Sequence, residues 1–230
     1  MGKDFETHLD ATVDATPDQI WDAIATGPGI STWFVGRTAI DNGEVRTAFG
    51  DNWIPAGTIT TNDKPHHFAY GSEPAPDGRF IAYDYLVEGR DHAGTVLRAV
   101  TSGFLPGDDW ADEYEAMQYG TQLFFATLVE YLRHFPGRPT TPVTAFGPPV
   151  TDWPAAWASL HSALGLGPSP EPGDPIPGGG EVYFVNPHTL GLRTPTGLYR
   201  YLRGFHGALV ASHALTAPDD TDWPSFLARL

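Results

Sequence analysis

The sequence predicts an α+β protein in which an antiparallel sheet packs on one long helix, followed by a smaller α+β unit. Three observations predict it. Residues 110–135 carry a sustained helical period, with Tyr114, Met117, Thr121, Phe124, Leu128, Leu132 and Phe135 recurring every three or four places. Between residues 45 and 104 lies a series of short, β-rich segments punctuated by turns, which reads as a meander of consecutive strands. After residue 139 helical and strand patterns resume beyond a Pro/Gly-rich stretch.

Taken in order, Phe5–Val13 alternates as an edge strand does. Thr16-Pro17-Asp18-Gln19 starts a helix: Thr16 caps, Pro17 suits the first helical position, and Gln19 completes a capping box. Gly27-Pro28-Gly29 ends it, and Ile30–Phe34 forms another short turn. Strands follow at Val45–Phe49, Gly57–Thr61, His66–Tyr70, Arg79–Glu88 and Thr95–Phe104, with Arg90–Gly94 as a polar loop. The long helix is capped by Asp109 or Asp112 and stopped by Pro136-Gly137. At about 1.5 Å per residue it is roughly 39 Å long. Its polar face is expected to carry Asp112, Glu113, Glu115, Gln122, Glu130, Arg133 and His134. Pro136-Gly137-Arg138-Pro139 reads as linker and residues 165–180 as a flexible loop. Between them Thr151–Leu164 is a helix; Glu181–Asn186, Gly197–Arg203 and Ala208–His213 are strands, and Thr221–Leu230 is a terminal helix. The decapeptides at 151 and 221 share six of ten positions, most simply because both start helices with Asp-Trp-Pro. The expected units are residues 1–138 and 139–230.

Composition removes several function classes. The chain has 230 residues, 28 acids against 13 bases, and a formal charge of −15, a surface that repels phosphate backbones. It has no cysteine, so disulfides, thiolate metal sites and thiol nucleophiles are absent. No apolar run reaches the ~20 residues of a membrane helix, and the first residues lack a signal-peptide core. A cytoplasmic, soluble protein is the expectation.

The order of motifs is similar to the START/Bet v 1-like (SRPBCC) superfamily, whose closest branch here resembles homologues of the heat-shock-protein ATPase activator. The resemblance rests on Thr16-Pro17 with Ile20-Trp21-Asp22-Ala23-Ile24, Trp33-Phe34, Gly57-Thr58-Ile59, Pro65, Phe68-Ala69-Tyr70, and Gly94-Thr95 with Ser102-Gly103-Phe104. It covers roughly residues 5–136. It implies a helix-grip fold, in which a curved antiparallel sheet wraps a long C-terminal helix with a cavity between them. The superfamily includes lipid carriers, polyketide cyclases and co-chaperones and shares no catalytic motif, so no catalytic residue transfers.

The candidate ligand-binding residues are Trp33, Phe49, Tyr70, Tyr83, Tyr85, Thr101, Tyr114, Met117, Thr121 and Phe125. Most would serve equally in an ordinary core, but inward phenols need hydrogen-bond partners and suit a mostly apolar cavity with a few polar groups. Gly120, in mid-helix, points to ligand space or a close strand. None of the nine histidines has ligand spacing, there is no G-x-S-x-G, and Gly178–Gly180 lacks the Lys-Ser/Thr of a phosphate loop. Arg98 would bind a carboxylate if inward, but alternation with Leu97 and Ala99 turns it outward. The expected function is binding of a hydrophobic or aromatic small molecule, without cofactor or metal. A cyclase/dehydratase-type enzyme on a polyketide-like substrate and a co-chaperone-like interaction module are the alternatives. Neither nucleic acid nor membrane is an expected partner, and a homodimer is left open. The sequence specifies neither the ligand, a reaction, nor the role of residues 139–230.

Overall fold

The computed structural model describes residues 2–54, 57–90, 94–107, 110–204 and 207–230. The first strand, β1 (Lys3–Val13), alternates half-buried Phe5, Thr7, Leu9 and Ala11 with exposed neighbours, as an edge strand covered on one face must. Thr16 and Gln19 then close a reciprocal capping box on α1 (Pro17–Ile24), which buries Ile20, Trp21 and Ile24. The short α2 (Gly27–Ile30) follows, capped by Thr26. The chain then lays down β2 (Arg37–Asp41), β3 (Glu44–Phe49), β4 (Asn52–Trp53), β5 (Gly57–Asp63), β6 (His67–Ser72), β7 (Phe80–Arg90) and β8 (Gly94–Leu105). These form one antiparallel sheet in the order β1-β8-β7-β6-β5-β3-β2, with β4 also against β3. The loop expected at Arg90–Gly94 has its centre outside the described residues.

The long helix, α3 (Trp110–His134), runs 25 residues. Of its expected caps, Asp109 lies outside the described residues, as does the side chain of Asp112. The helix is in mid-chain, not C-terminal in the protein: five strands and two helices follow it. They are β9 (Thr141–Pro149), α4 (Trp153–Ala163), β10 (Glu181–Asn186), β11 (Thr189–Thr194), β12 (Gly197–Arg203), β13 (Ala208–Leu215) and α5 (Trp223–Leu227). The strands make a second antiparallel sheet, β10-β11-β12-β13-β9. The fold is therefore α+β with two antiparallel sheets.

Three expectations for this half are corrected. Beyond the linker the expectation assigned no element before Thr151, yet β9 lies there, an edge strand; an edge leaves one row of backbone groups unpaired and so tolerates Pro142, Pro148 and Pro149. The strand β11 was not expected, because Gly191 interrupts its pattern. A Cβ at Gly191 would meet the Tyr183 ring at 2.4 Å, so the glycine lets that ring lie across the strand. The Pro/Gly loop is tied down: the Gly173 amide donates to the Val182 carbonyl (2.8 Å), and the Val182 amide to the Asp174 carbonyl (2.9 Å). The two decapeptide copies do start helices alike, with Asp152 and Asp222 each accepting an amide of the first turn.

The largest departure concerns the polar face of α3. The first sheet packs on one side of the helix, chiefly through β1 and β8, and the second sheet through β10, β11 and β12 on the other. From Leu123 to Leu132 the helix is therefore buried nearly all round, including Thr127 at 0% and Glu130 at 8% exposure. Thr127 hydrogen-bonds the Tyr183 hydroxyl (2.7 Å), and Arg193 donates to Glu130 (3.1 Å). Gln122, also expected on the solvent face, meets Asn186, whose amide donates to the Tyr119 carbonyl (3.2 Å). Arg133 and His134 do lie at the helix end, both near Glu130.

Arg193→Ala leaves Glu130 desolvated and is expected to lower stability by about 1.5–3 kcal/mol in urea unfolding. Gly120 has open space where a Cβ would stand, its nearest neighbour Phe124 at 3.9 Å, so no close strand requires it. Gly120→Ala is expected to raise stability by up to about 1 kcal/mol, read as a higher urea midpoint at unchanged slope.

Candidate functional site

The concave face of the first sheet is assembled by alternation. Val45, Thr47 and Phe49 on β3, Phe68, Tyr70 and Ser72 on β6, and Ile81, Tyr83, Tyr85 and Val87 on β7 share it, in registers that pair Tyr70 with Tyr83 and Phe68 with Tyr85. The helix α3 covers the β1–β8 end of this face, where Tyr114 packs on Phe5 (5.8 Å between ring centroids). The rest is met by the segment that follows α2. There the Phe34 ring stands between Phe124 of α3 (5.3 Å) and Tyr83 of the sheet (5.8 Å), both edge-on.

Beyond Phe34 the face is not filled. A cavity of about 230 Å³ lies over β3, β5, β6 and β7, bounded by Phe34, Val45, Thr47, Gly57, Tyr70, Ser72, Ile81 and Tyr83. Ile54, Glu73, Ala75, Arg79 and Phe80 complete its rim. Its lining is predominantly apolar. Other hollows, such as those beside α5 and β9, are larger but more open to solvent and less apolar. At the rim Arg79 binds Glu113, which ties the β6–β7 loop to the first turns of α3. Ile54 is 42% exposed and Trp53 beside it 48%, with the Arg37 guanidinium over the Trp53 ring at 5.3 Å.

Of the expected site residues, Tyr70 and Tyr83 line the cavity. The structure places the others elsewhere. Trp33 is buried with its indole donating to the Ala23 carbonyl (2.9 Å), and Tyr85 packs edge-on against it at 6.0 Å. Thr101 is buried across from Tyr83 and Thr7 on neighbouring strands. Phe49 packs against Phe146 of β9 at 5.0 Å. Tyr114, Met117, Thr121 and Phe125 are on α3, which contributes no described residue to the cavity lining. The cavity expected between long helix and sheet is thus between the sheet and Phe34, because the helix is drawn toward β1 and Phe34 fills the gap. Val45, Thr47 and Ile81 share sheet faces with residues already singled out, so alternation alone could have found them. Ile54 and Ala75 lie on loops, where no period marks them.

The phenols form one electrostatic group. Tyr70 and Tyr83 are cross-strand neighbours with centroids 5.0 Å apart. Burial raises Tyr83 to about 12 and also raises Tyr70 and Tyr85, where the charge of neighbouring phenols adds to the effect. All three are neutral at physiological pH, so they are available as hydrogen-bond donors and are not poised as bases. Among the described residues the Tyr70 hydroxyl makes no hydrogen bond of ordinary geometry, the Tyr85 phenol being the group it interacts with. Thr47 spends its hydroxyl on Thr38 (3.0 Å), and the Ser72 hydroxyl accepts from the Ile81 amide (3.1 Å). Glu73, exposed at the rim, is the carboxylate of the lining. Arg98 lies on the outer face and pairs with Glu88 (2.9 Å). Among the described residues no three His, Asp or Glu side chains gather as metal ligands, and no helix is long and apolar enough to cross a membrane.

A second polar group went unrecognised in the sequence. Arg200 on β12 and Ser212 and His213 on β13 are all 0% exposed. One Arg200 Nη donates to the carbonyls of Trp33 and Phe34 (2.9 Å to the latter), and Nε to the Ser212 carbonyl. The Ser212 hydroxyl donates to the Val35 carbonyl (2.9 Å). The signal was a lone arginine among Leu198, Tyr199, Tyr201 and Leu202. His213 accepts the Arg200 amide at Nδ1 (3.0 Å), which leaves the ring proton on Nε2. Burial, helped by the Arg200 charge, holds the His213 imidazole down to about 3.

No family model matches the chain, and no curated protein matches it. Among solved structures it is similar to the Aha1 dimer from Colwellia psychrerythraea, at 15% identity over 56% of this chain and 96% of that one, TM-score 0.44. It is also similar to the di-domain ARO/CYC BexL of the BE-7585A biosynthetic pathway, at 14% identity over 92% of this chain and 84% of that one, TM-score 0.47. A third is protein MLL2253 from Mesorhizobium loti, at 17% identity over 56% of this chain and 96% of that one, TM-score 0.45. At these identities and scores the likeness assigns neither an activity nor a ligand.

The neutral His213 makes the fold acid-sensitive. Its folded-state pKa lies below the ordinary 6.5, so between those values the unfolded chain binds the extra proton. Its contribution to stability is complete above about pH 6.5 and is lost as pH falls toward 3, at up to about 1.4 kcal/mol per pH unit. His213→Asn, which keeps an acceptor, is expected to flatten the acid limb of stability against pH by about one proton; an unchanged slope would mean that His213 is solvated.

Proposed function

We propose that the chain is a receptor for a small apolar molecule of one or two fused rings, held over β3, β5, β6 and β7. The single observation that carries this is the unfilled apolar cavity beside the tyrosine cluster. Apolar surface left facing water in a concave site is unfavourable unless something covers it. At about 230 Å³ the cavity exceeds the ~150 Å³ that admits benzene and falls short of the ~300 Å³ at which drug-sized sites begin. An apolar body therefore suits the lining, with an acceptor atom that can take a phenol proton from the Tyr83 side. We further propose that residues 1–138 form the ligand-binding unit and residues 139–230 its buttress.

A catalytic role of the cyclase or dehydratase type needs a base as well as donors. The phenols stay protonated, and Glu73 stands exposed at the rim, so the lining favours binding over turnover.

Thermal shift with 2-naphthol tests the reading. At a hundredfold excess over Kd, stabilisation of about 2.7 kcal/mol is expected, or about 5–10 °C for a chain of this size. Ile81→Trp, which fills the cavity from the sheet side, is expected to abolish the shift while preserving cooperative melting. A shift that survives Ile81→Trp would place binding elsewhere.

A further inference from the structure

The segment Trp33-Phe34-Val35 presents three successive carbonyls to the second sheet, and every one is taken. Arg200 donates to Trp33 and Phe34, and Ser212 donates to Val35. The same arginine also backs the Phe34 ring. Its guanidinium lies over the Phe124 ring at 5.6 Å, and Phe124 in turn meets Phe34 edge-on at 5.3 Å. Phe34 is the one residue of this segment that lines the cavity. Both the backbone that carries that ring and the ring behind it are thus held from β12 and β13.

The grip is an expensive one for mere cohesion. Arg200 is fully buried, its guanidinium contacts carbonyls where a carboxylate would be expected, and one Nη has no hydrogen-bond partner among the described residues. A well-packed apolar side chain is commonly as stabilising as a buried ion, or more so, whereas a planar fork specifies position. The Trp33 and Phe34 carbonyls also follow a short helical turn, whose last carbonyls need donors in any case. A purely structural cap would satisfy that need without affecting what the cavity accepts.

We propose that Arg200 and Ser212 are positioning residues for the cavity: by fixing the Trp33–Val35 backbone they set where the Phe34 ring stands, and so which ring size the cavity admits. This rests on the receptor reading above, and it gives the second sheet a role in ligand selection. Releasing the segment lets Phe34 retreat, which favours a two-ring ligand over a one-ring ligand carrying the same polar group.

The test compares 2-naphthol with phenol by calorimetric titration, on the full chain and its variants. The readout is the ratio of their affinities. Partial unfolding weakens both ligands by the same factor, so the ratio reports the site and not the folded fraction. Arg200→Met is expected to shift the ratio toward 2-naphthol by about tenfold, the scale at which pockets discriminate ligand size. Ser212→Ala is expected to shift it less, in the same direction, and decides the matter if Arg200→Met fails to fold. Phe34→Ala alone should produce the large shift, and adding Ser212→Ala to it should add nothing, since both act through one ring. An unmoved ratio in a folded Arg200→Met or Ser212→Ala protein, with wild type binding both probes, overturns the positioning role and leaves the receptor reading standing. Wild type binding neither probe overturns both.

Discussion

Everything in this molecule is arranged around the need to bury α3 on two sides. A helix against one sheet has a solvent face, and charged residues there cost nothing. Once a second sheet closes on that face, each polar group must find a partner or carry a desolvation penalty. The second half of α3 meets this requirement residue by residue: Thr127 with Tyr183, Glu130 with Arg193, the Tyr119 carbonyl with Asn186. These contacts are specific where apolar packing is only cohesive. They set the register of the second sheet on the helix, and through Arg200 and Ser212 that sheet reaches past the helix to the Trp33–Val35 segment.

The cavity is a consequence of the same arrangement. The helix is held toward β1 and β8, so it cannot also cover β3, β5 and β6. Phe34 bridges part of the distance, contacting Phe124 on one side and Tyr83 on the other. What remains uncovered is a hollow lined by the sheet itself, with Tyr70 and Tyr83 in its wall and the exposed Ile54 at its rim. The phenols, deprived of solvent, stay protonated and serve as donors.

The elements whose cause is local were readable in the sequence. Thr16 with Gln19 is a capping box in the chain and in three dimensions, and Asp152 and Asp222 each start a helix as their decapeptides indicate. Six strands of the first sheet followed from period-two alternation, which also turned Arg98 outward, whereas β2 and the two-residue β4 went unassigned. Elements whose cause is non-local were not readable. Proline in β9 looks like linker until the strand is known to be an edge, and Gly191 breaks the β11 pattern because Tyr183, eight residues earlier, lies across it. Glu130 follows the period of a solvent face and is nevertheless buried.

The chain by itself determined the order and type of most elements, because capping, alternation and helical period act over a few residues and leave their mark in composition. It also determined what the surface repels, through its excess of acid, and which chemistry is absent, through its lack of cysteine. Only the tertiary structure decided which side of Phe34 the hollow lies on, that α3 is covered from both sides between Thr127 and Leu132, and that Arg200 grips a segment more than a hundred and sixty residues away. The physical reason is that these depend on how two sheets divide the surface of one helix, and no periodicity within either half records that division.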